Sequence, residues 1–336
     1  MSAPQVYATE GGLGAYADGI DSFMMGALPP PGVYFLNYAL YLNVSDYKDI
    51  RIPSNGDPKY AAALGAIPGA GPGVKFKDIP LNARGATDDP SVRGWSMVDV
   101  LRTVVVTKTK VLGGDLGFHV ILPVQHLSYT RFDWAGADLL SGDHTAQKTG
   151  LKNLIVAPVV GWHLSKNLHV LAACDVVLPT GAYDRWDTAN LGTGYMTFMP
   201  LVAGTYLSDS GFEVGVKLMY DINMTNKETG YYSGNAFHAD YIVAQRIAKN
   251  FNVGISGYYF QQLNNDTMRD SDWSRAASLA NPAIAFDGNK SKAFAVGPAI
   301  NYNYKNMYFR VKVQFDTMVE NRPETQRYWF DWMYAF

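Results

Sequence analysis

Strict two-residue alternation, repeated along most of the chain, is the feature that most limits what this sequence can fold into. Between positions 307 and 316, Met307, Phe309, Val311, Val313 and Phe315 take the odd places, and Arg310, Lys312, Gln314 and Asp316 the even ones. A pleated strand sends successive side chains to opposite faces, so this stretch has one apolar face and one charged face. GFEVGVKLMYDIN repeats the pattern, with Phe212, Val214, Val216, Leu218, Tyr220 and Ile222 set against Glu213, Lys217, Asp221 and Asn223. In LGFHVILPV, Leu116, Phe118, Val120, Leu122 and Val124 share a face, with His119 and Gln125 opposite.

The same test marks about twelve strands along the chain. They lie near residues 32–44, 93–108, 115–128, 151–163, 167–180, 193–207, 211–224, 236–248, 250–263, 293–304, 306–320 and 326–336. The second is the least regular, because Asp99 and Arg102 fall on opposite parities within it. After it, short links (Gly113 with Gly114, then 165–167, 208–210, 248–250 and 304–306) alternate with longer ones at 129–150, 181–192, 225–235 and 264–292. Short links at one end and long links at the other describe an up-and-down antiparallel barrel.

Which way its apolar faces point decides the class. Hydrophobic residues make up 48% of the chain, yet mean hydropathy is only -0.09, so apolar and polar residues are mixed at short range. A soluble sandwich would turn its apolar faces inward and keep loops short at both ends. A transmembrane barrel turns them to lipid and keeps a polar lumen. Tyr34, Trp95, Trp134, Trp162, Tyr206, Tyr302, Tyr304, Trp332 and Tyr334 stand near strand ends, where interfacial aromatic girdles belong. The expected fold is therefore an all-β, transmembrane, antiparallel up-and-down β-barrel of about twelve strands in the bacterial outer membrane. Outer-membrane lipid is its first expected partner.

Other classes find little support. No uncharged apolar run approaches the roughly 18 residues that a membrane-crossing helix requires. The segment MSAPQVYATEGGLG lacks the basic and apolar regions of an export signal, which fits a cytosolic chain or a mature exported one with an added Met. A net charge of -2 lacks the basic footprint of a nucleic-acid binder. The one cysteine, Cys174, excludes an internal disulfide. His119 and His238 are not spaced as metal ligands, and no cofactor is implied. No HEXXH, GXSXG or phosphate-loop motif occurs. Ser233, Asn235, His238 and Asp240 have suitable side chains for hydrolysis, but Ser233 falls in the loop before the strand, so no enzyme is expected.

The chain ends RYWFDWMYAF, with Tyr328, Phe330, Trp332, Tyr334 and Phe336 at alternate places and Arg327 and Asp331 on the other parity. A terminal Phe preceded by alternate aromatics resembles the signal read by the outer-membrane insertion machinery, which makes Phe336 its expected contact. Four further stretches, ATEGGLGAYADGIDSFMMGALPPPGVY, DVVLPTGAYD, NLGTGYMTFMP and TGYYSGNAFHAD, resemble the outer-membrane channel family labelled as meta-pathway phenol-degradation transporters. That resemblance implies a monomer-sized barrel admitting small hydrophobic or aromatic molecules.

A barrel of about twelve strands has a lumen wider than side chains alone can fill. Residues 1–31 are the expected filling, with 32–336 as the barrel. This segment is Gly-rich, carries Phe23, Met24 and Met25, and ends in three prolines. Its Glu10, Asp18 and Asp21 are expected to meet inward bases such as Lys217, Arg310 and Lys312. Alternation places His119, Asp175, Glu213, Lys217, Asp221, His238, Asp240, Arg246, Arg310, Lys312 and Asp316 in the lumen. Pro123, Pro158, Pro179 and Pro200 lie in or at the ends of four successive strands, with Pro298 in a later one. Proline cannot donate to the ladder, so these positions mark bulges or a weakened wall through which an apolar solute could leave sideways. The expected function is uptake of small hydrophobic or aromatic molecules through an occluded barrel. The alternative is a diffusion pore for small polar or ionic solutes.

Overall fold

The computed structural model describes residues 14, 16–48, 91–133, 142–184, 187, 189–268 and 290–336. Its strands are β1 (Gly32–Lys48), β2 (Ser91–Val111), β3 (Gly114–Asp133), β4 (Gly142–Leu151), β5 (Ile155–His163), β6 (Leu168–Val177) and β7 (Thr197–Leu207). There follow β8 (Phe212–Asn223), β9 (Tyr231–Tyr232), β10 (Ala236–Ala248), β11 (Phe251–Gln262), β12 (Thr267–Met268), β13 (Lys292–Tyr304), β14 (Met307–Glu320) and β15 (Arg322–Ala335). β9 and β12 form a small ribbon of their own. The other thirteen form one antiparallel sheet that closes through β1 with β15 and β2 with β3. β4 and β5 lie end to end along β3, so together they act as one of the twelve staves of the barrel.

Burial is inside out relative to a soluble protein. On β8, Glu213, Lys217 and Asp221 are 2%, 4% and 4% exposed, whereas Phe212, Val214 and Val216 are 40%, 38% and 40% exposed. The apolar face therefore points out of the barrel, the arrangement that suits a hydrocarbon surround. Among the described residues no helix could cross a membrane. β15 follows the same rule, with Tyr328 and Phe330 exposed and Arg327, Trp329 and Asp331 buried. Its aromatics meet those of β1: Trp332 lies 5.9 Å from Phe35, edge to face.

Several boundaries move. β1, β2 and β3 run beyond the expected ends, and β15 starts at Arg322 instead of 326. β6 stops at Val177, so Pro179 lies outside any strand, and β7 begins only at Thr197. The largest difference is β4, which carries the stave back to Gly142 through residues expected to be a loop. Its sequence GDHTAQKTGL is polar on both faces and offers no alternation to read. Trp134 lies outside the described residues.

The prolines interrupt ladders on one side each. The β5–β6 ladder skips from Val156↔Val176 to Val159↔Ala173, leaving Pro158 opposite Cys174 without a bridge. The β7–β8 ladder skips from Phe198↔Ile222 to Leu201↔Met219 across Pro200. Between β13 and β14 the break spans Pro298. Pro123 faces the gap where β4 ends and β5 begins.

Val311 points outward in the middle of β14 and is 46% exposed. Val311→Arg should destabilise the barrel in a bilayer by about 2–4 kcal/mol, the range for a lipid-facing cation near the midplane. Reversible urea titration in lipid vesicles measures this, and an unchanged midpoint would contradict the assignment of that face.

Candidate functional site

The lumen is lined by two unlike arcs. Along β8, β10, β14 and β15 its buried side chains include Glu213, Lys217, Asp221, His238, Asp240, Arg310, Lys312, Asp316, Arg327 and Asp331. Along β1, β2, β3 and β5 they are mainly Leu40, Leu42, Val98, Val100, Ile121 and Ile155. Residues 16–28 run inside the barrel and bond to the polar arc.

Charged groups fix the first turn of this segment. Lys217 Nζ donates to Asp21 Oδ2 at 2.9 Å and to Tyr16 Oη at 2.8 Å, with Arg102 3.5 Å from the same aspartate. Asp18 lies 3.2 Å from His238 Nδ1 and 3.3 Å from Arg322, and His238 also reaches Asp221 at 3.1 Å. Asp240 accepts the backbone N–H of Gly19 at 2.7 Å and of Asp21 at 3.1 Å. Lys312 donates to the carbonyls of Gly19 and Ile20 and pairs with Asp331 at 3.2 Å. Its ammonium also sits 4.8 Å above the Trp329 ring, and Arg327 sits 4.4 Å above Tyr258. A cation over an aromatic face keeps a favourable contact without water, which suits a lumen this crowded.

Backbone geometry makes the turn specific. Gly19 has φ of +81°, and a Cβ there would stand 2.3 Å from Gln314 Oε1. Met24 is also left-handed, with φ of 57°, and its N–H is taken by Glu213 Oε1 at 2.5 Å. Further along, Phe23 and Met25 pack with Ala203, Ile242, Ala244 and Ala299. Gly26 N–H donates to Thr205 Oγ1 at 2.9 Å.

Burial raises the cost of charging Asp18, but the His238 hydrogen bond and Arg322 outweigh it and hold its carboxyl below the usual range. Asp21 is buried too, and Lys217 and Arg102 likewise hold its carboxyl below the usual range. Carboxyl groups with depressed values stabilise the docked segment above their unfolded range and stop doing so as pH falls through the folded value.

Between the segment and the apolar arc lies a cavity of about 70 Å³, lined by Tyr38, Leu40, Leu42, Val98, Val100 and Ile121, among others. Pro123 and Lys152 border it where the β4–β5 stave is broken. The break is bridged by chain from the β6–β7 link. Leu154 N–H donates to Thr180 Oγ1 at 2.9 Å, Leu178 N–H to the Leu154 carbonyl at 2.8 Å, and Asn153 Nδ2 to Thr193 Oγ1 at 2.7 Å. Among the described residues β4 pairs with β3 alone, and no strand lies along its other edge.

The residues singled out from sequence are distributed unevenly over this site. His119 and Asp175 pair at 3.0 Å and join the segment through Arg102, which lies 3.0 Å from His119 Nδ1 and 3.5 Å from Asp21. Arg246 sits at a register shift near the end of β10 and is exposed. Lys312 meets the segment through carbonyls instead of a carboxylate, and Glu10 lies outside the described residues. Pro158 and Pro200 face outward, so only Pro123 of the four borders the cavity. Arg102, of unclear parity, is a lumen residue, whereas Asp99 points out and accepts from Asn37 Nδ2 at 2.5 Å. Ser233 Oγ makes no hydrogen bond, and His238 and Asp240 are taken up by the segment. Tyr16, Tyr38, Thr205, Gln314 and Arg322 are additional lumen residues that alternation within the expected strands does not single out as functional. Among the described residues no group of three or more His, Cys, Asp or Glu is placed to hold a metal.

A family model described as "Putative MetA-pathway of phenol degradation" matches residues 79–332. No curated protein matches the chain. Among solved structures, an outer membrane channel from Pseudomonas putida F1 is similar over 94% of this chain and 100% of that one, at 14% identity and a TM-score of 0.65. The transport unit of the autotransporter AIDA-I from Escherichia coli is similar over 99% and 100%, at 10% identity and a TM-score of 0.48. A mutant of the TodX monoaromatic hydrocarbon channel is similar over 91% of each chain, at 8% identity and a TM-score of 0.43. The first establishes a shared fold; the other two are too distant to argue from.

Gly19→Ala should free residues 16–28, lowering their amide protection factors at neutral pH by roughly tenfold or more. In the unaltered chain the same protection should hold from pH 8 down to 5 and fall below about pH 4, as Asp18 and Asp21 take up protons. Hydrogen exchange corrected for intrinsic rates reads both, and protection that persists in acid would remove the carboxylates from this role.

Proposed function

We propose, starting from a chain that belongs to the family of the phenol-degradation MetA pathway, that this protein takes up small hydrophobic or aromatic molecules across the bacterial outer membrane. One observation carries the reading. The lumen of an inside-out barrel is occupied by residues 16–28 on its charged arc, while its apolar arc keeps a cavity. Residues 1–31 thus act as the plug and 32–336 as the barrel.

Ion pairing argues against the diffusion pore. Lys217, His238 and Asp240, charges that could line a water path, are instead bonded to the segment. Such groups hold a plug more readily than they conduct. A hydrophobic solute gains by entering the apolar cavity, at roughly 25 cal/mol for each Å² it withdraws from water.

The solute's exit is sideways, at the break between β4 and β5. Pro123 borders both the cavity and this break, where one bond runs to β3, Lys152 N–H to the Pro123 carbonyl at 2.9 Å, and the bonds on the other side come from a loop instead of a neighbouring strand. Loop bonds open at lower cost than a continuous ladder. Phe336, whose N–H donates to the Val33 carbonyl at 3.2 Å, ends the closing strand and is the contact for the insertion machinery.

Two measurements test this. A chain lacking residues 1–28 should conduct ions steadily in planar bilayers while the full chain does not; equal conductance would refute the plug. In a Cys174→Ser background, Val124→Cys with Leu151→Cys joins register partners on the lipid face beside the break. Oxidation should sharply slow uptake of a small arene into proteoliposomes and reduction should restore it, whereas uptake indifferent to oxidation would rule out this exit.

A further inference from the structure

Outside the lumen network, two imidazoles meet at the short-turn end of the barrel. His163 closes β5 and His169 lies near the start of β6, and the two are direct register partners. Their Nδ1 atoms are 2.7 Å apart and their rings stand edge to face with centroids 4.9 Å apart. His163 is exposed and His169 half-buried, so ions reach the pair from water.

Two neutral imidazoles can meet this way only if one Nδ1–H donates to the lone pair of the other. The two ring nitrogens then converge on one point between the strands. Replacing that shared proton by a metal requires the nitrogens to part to ~3.3 Å, given Zn–N bonds of about 2.0–2.1 Å at tetrahedral angles. Exposed side chains on a hairpin can make that adjustment by small ring rotations.

We propose that His163 and His169 form a solvent-completed binding site for a borderline divalent transition metal, such as Zn²⁺, Ni²⁺ or Cu²⁺. Imidazole is the ligand these ions share, and water fills the remaining positions. The site has a structural consequence for the segment. On its other side His169 pairs with Thr205, whose hydroxyl holds Gly26 N–H. An ion bridging β5 and β6 therefore braces the wall beside the point where residues 16–28 are tied down.

Tag-free full-length protein in detergent should bind one Ni²⁺ or Zn²⁺ per chain in calorimetric titration at pH 7.5. His163→Ala and His169→Gln should each weaken binding by roughly tenfold or more, the loss expected for one of two protein ligands. His126→Ala, which alters an exterior histidine bonded to Thr149, should leave it unchanged. Bound Cu²⁺ should show two nitrogen ligands by electron paramagnetic resonance in the unaltered protein and one in either variant at this site. No binding by the unaltered chain, or isotherms and spectra that the two substitutions do not change, would overturn the proposal.

Discussion

Backbone donors and acceptors have no water to turn to at membrane depth, so a strand-built membrane protein must close on itself. Here closure rests on the pairing of β1 with β15, which runs from Tyr34↔Ala335 to Lys48↔Arg322 with one irregularity between Val44 and Asp46. That register decides more than the ladder. It sends Tyr328 and Phe330 outward, and turns Arg327, Trp329 and Asp331 into the lumen beside Tyr38 and Leu40. A slip of one residue would put the arginine and aspartate into lipid, so the chemistry of both faces guards the seam.

A closed barrel has no edge on which to hide a proline, yet this one contains several. Pro158, Cys174 and Pro200 lie in one hydrogen-bonding row across β5, β6 and β7, and the ladder misses a bridge beside each proline. An acceptor left without its donor there costs about 1–3 kcal/mol, a loss that intact pairing above and below can absorb. Pro123 is treated differently. The stave opposite it is interrupted over 152–154, and Thr180, Leu178 and Thr193 supply the bonds that a neighbouring strand would otherwise make. Of the interruptions described, this gap is the one that adjoins the cavity lined by Leu40 and Val98, and that sets it apart from bulges that merely bend the wall.

How far the fold could be read from sequence depended on contrast between the two faces. β8 and β14 alternate sharply, so their inward residues follow directly from parity. β4 carries polar residues on both faces and has no contrast, so it reads as loop. Arg102 and Asp99 confuse β2 because one of them is an outward carboxylate, tolerated with Asn37 as its partner. Arg322 escapes notice because Asn321, at φ of 50°, and Pro323 look like a turn rather than the start of a strand. The segment's anchors, Phe23 and Met25, were visible as apolar residues out of place in a polar tail. Their partners were not, since which wall residues face Asp18 depends on the stagger of four strands and on a left-handed glycine.

The division of the lumen into two arcs resolves a conflict that composition alone leaves open. A uniformly charged interior would favour ions, and a uniformly apolar one could not hold a segment carrying buried aspartates without large desolvation penalties. With bases and acids gathered on β8, β10, β14 and β15, the segment's carboxylates and backbone find most of their partners on that side, and Arg102 and Tyr38 reach Asp21 from the other. The opposite arc, through Leu40, Val98, Val100 and Ile121, makes no demand for charge and leaves room beside Tyr16 and Ile20. The cavity therefore lies against β1, β2 and β3, with the Arg102–Asp21 pair at its border. β1 to β3 pair without a gap through the middle of their length, whereas opposite Pro123 the stave passes from β4 to β5 and a single backbone bond, Lys152 N–H to the Pro123 carbonyl at 2.9 Å, holds it to β3.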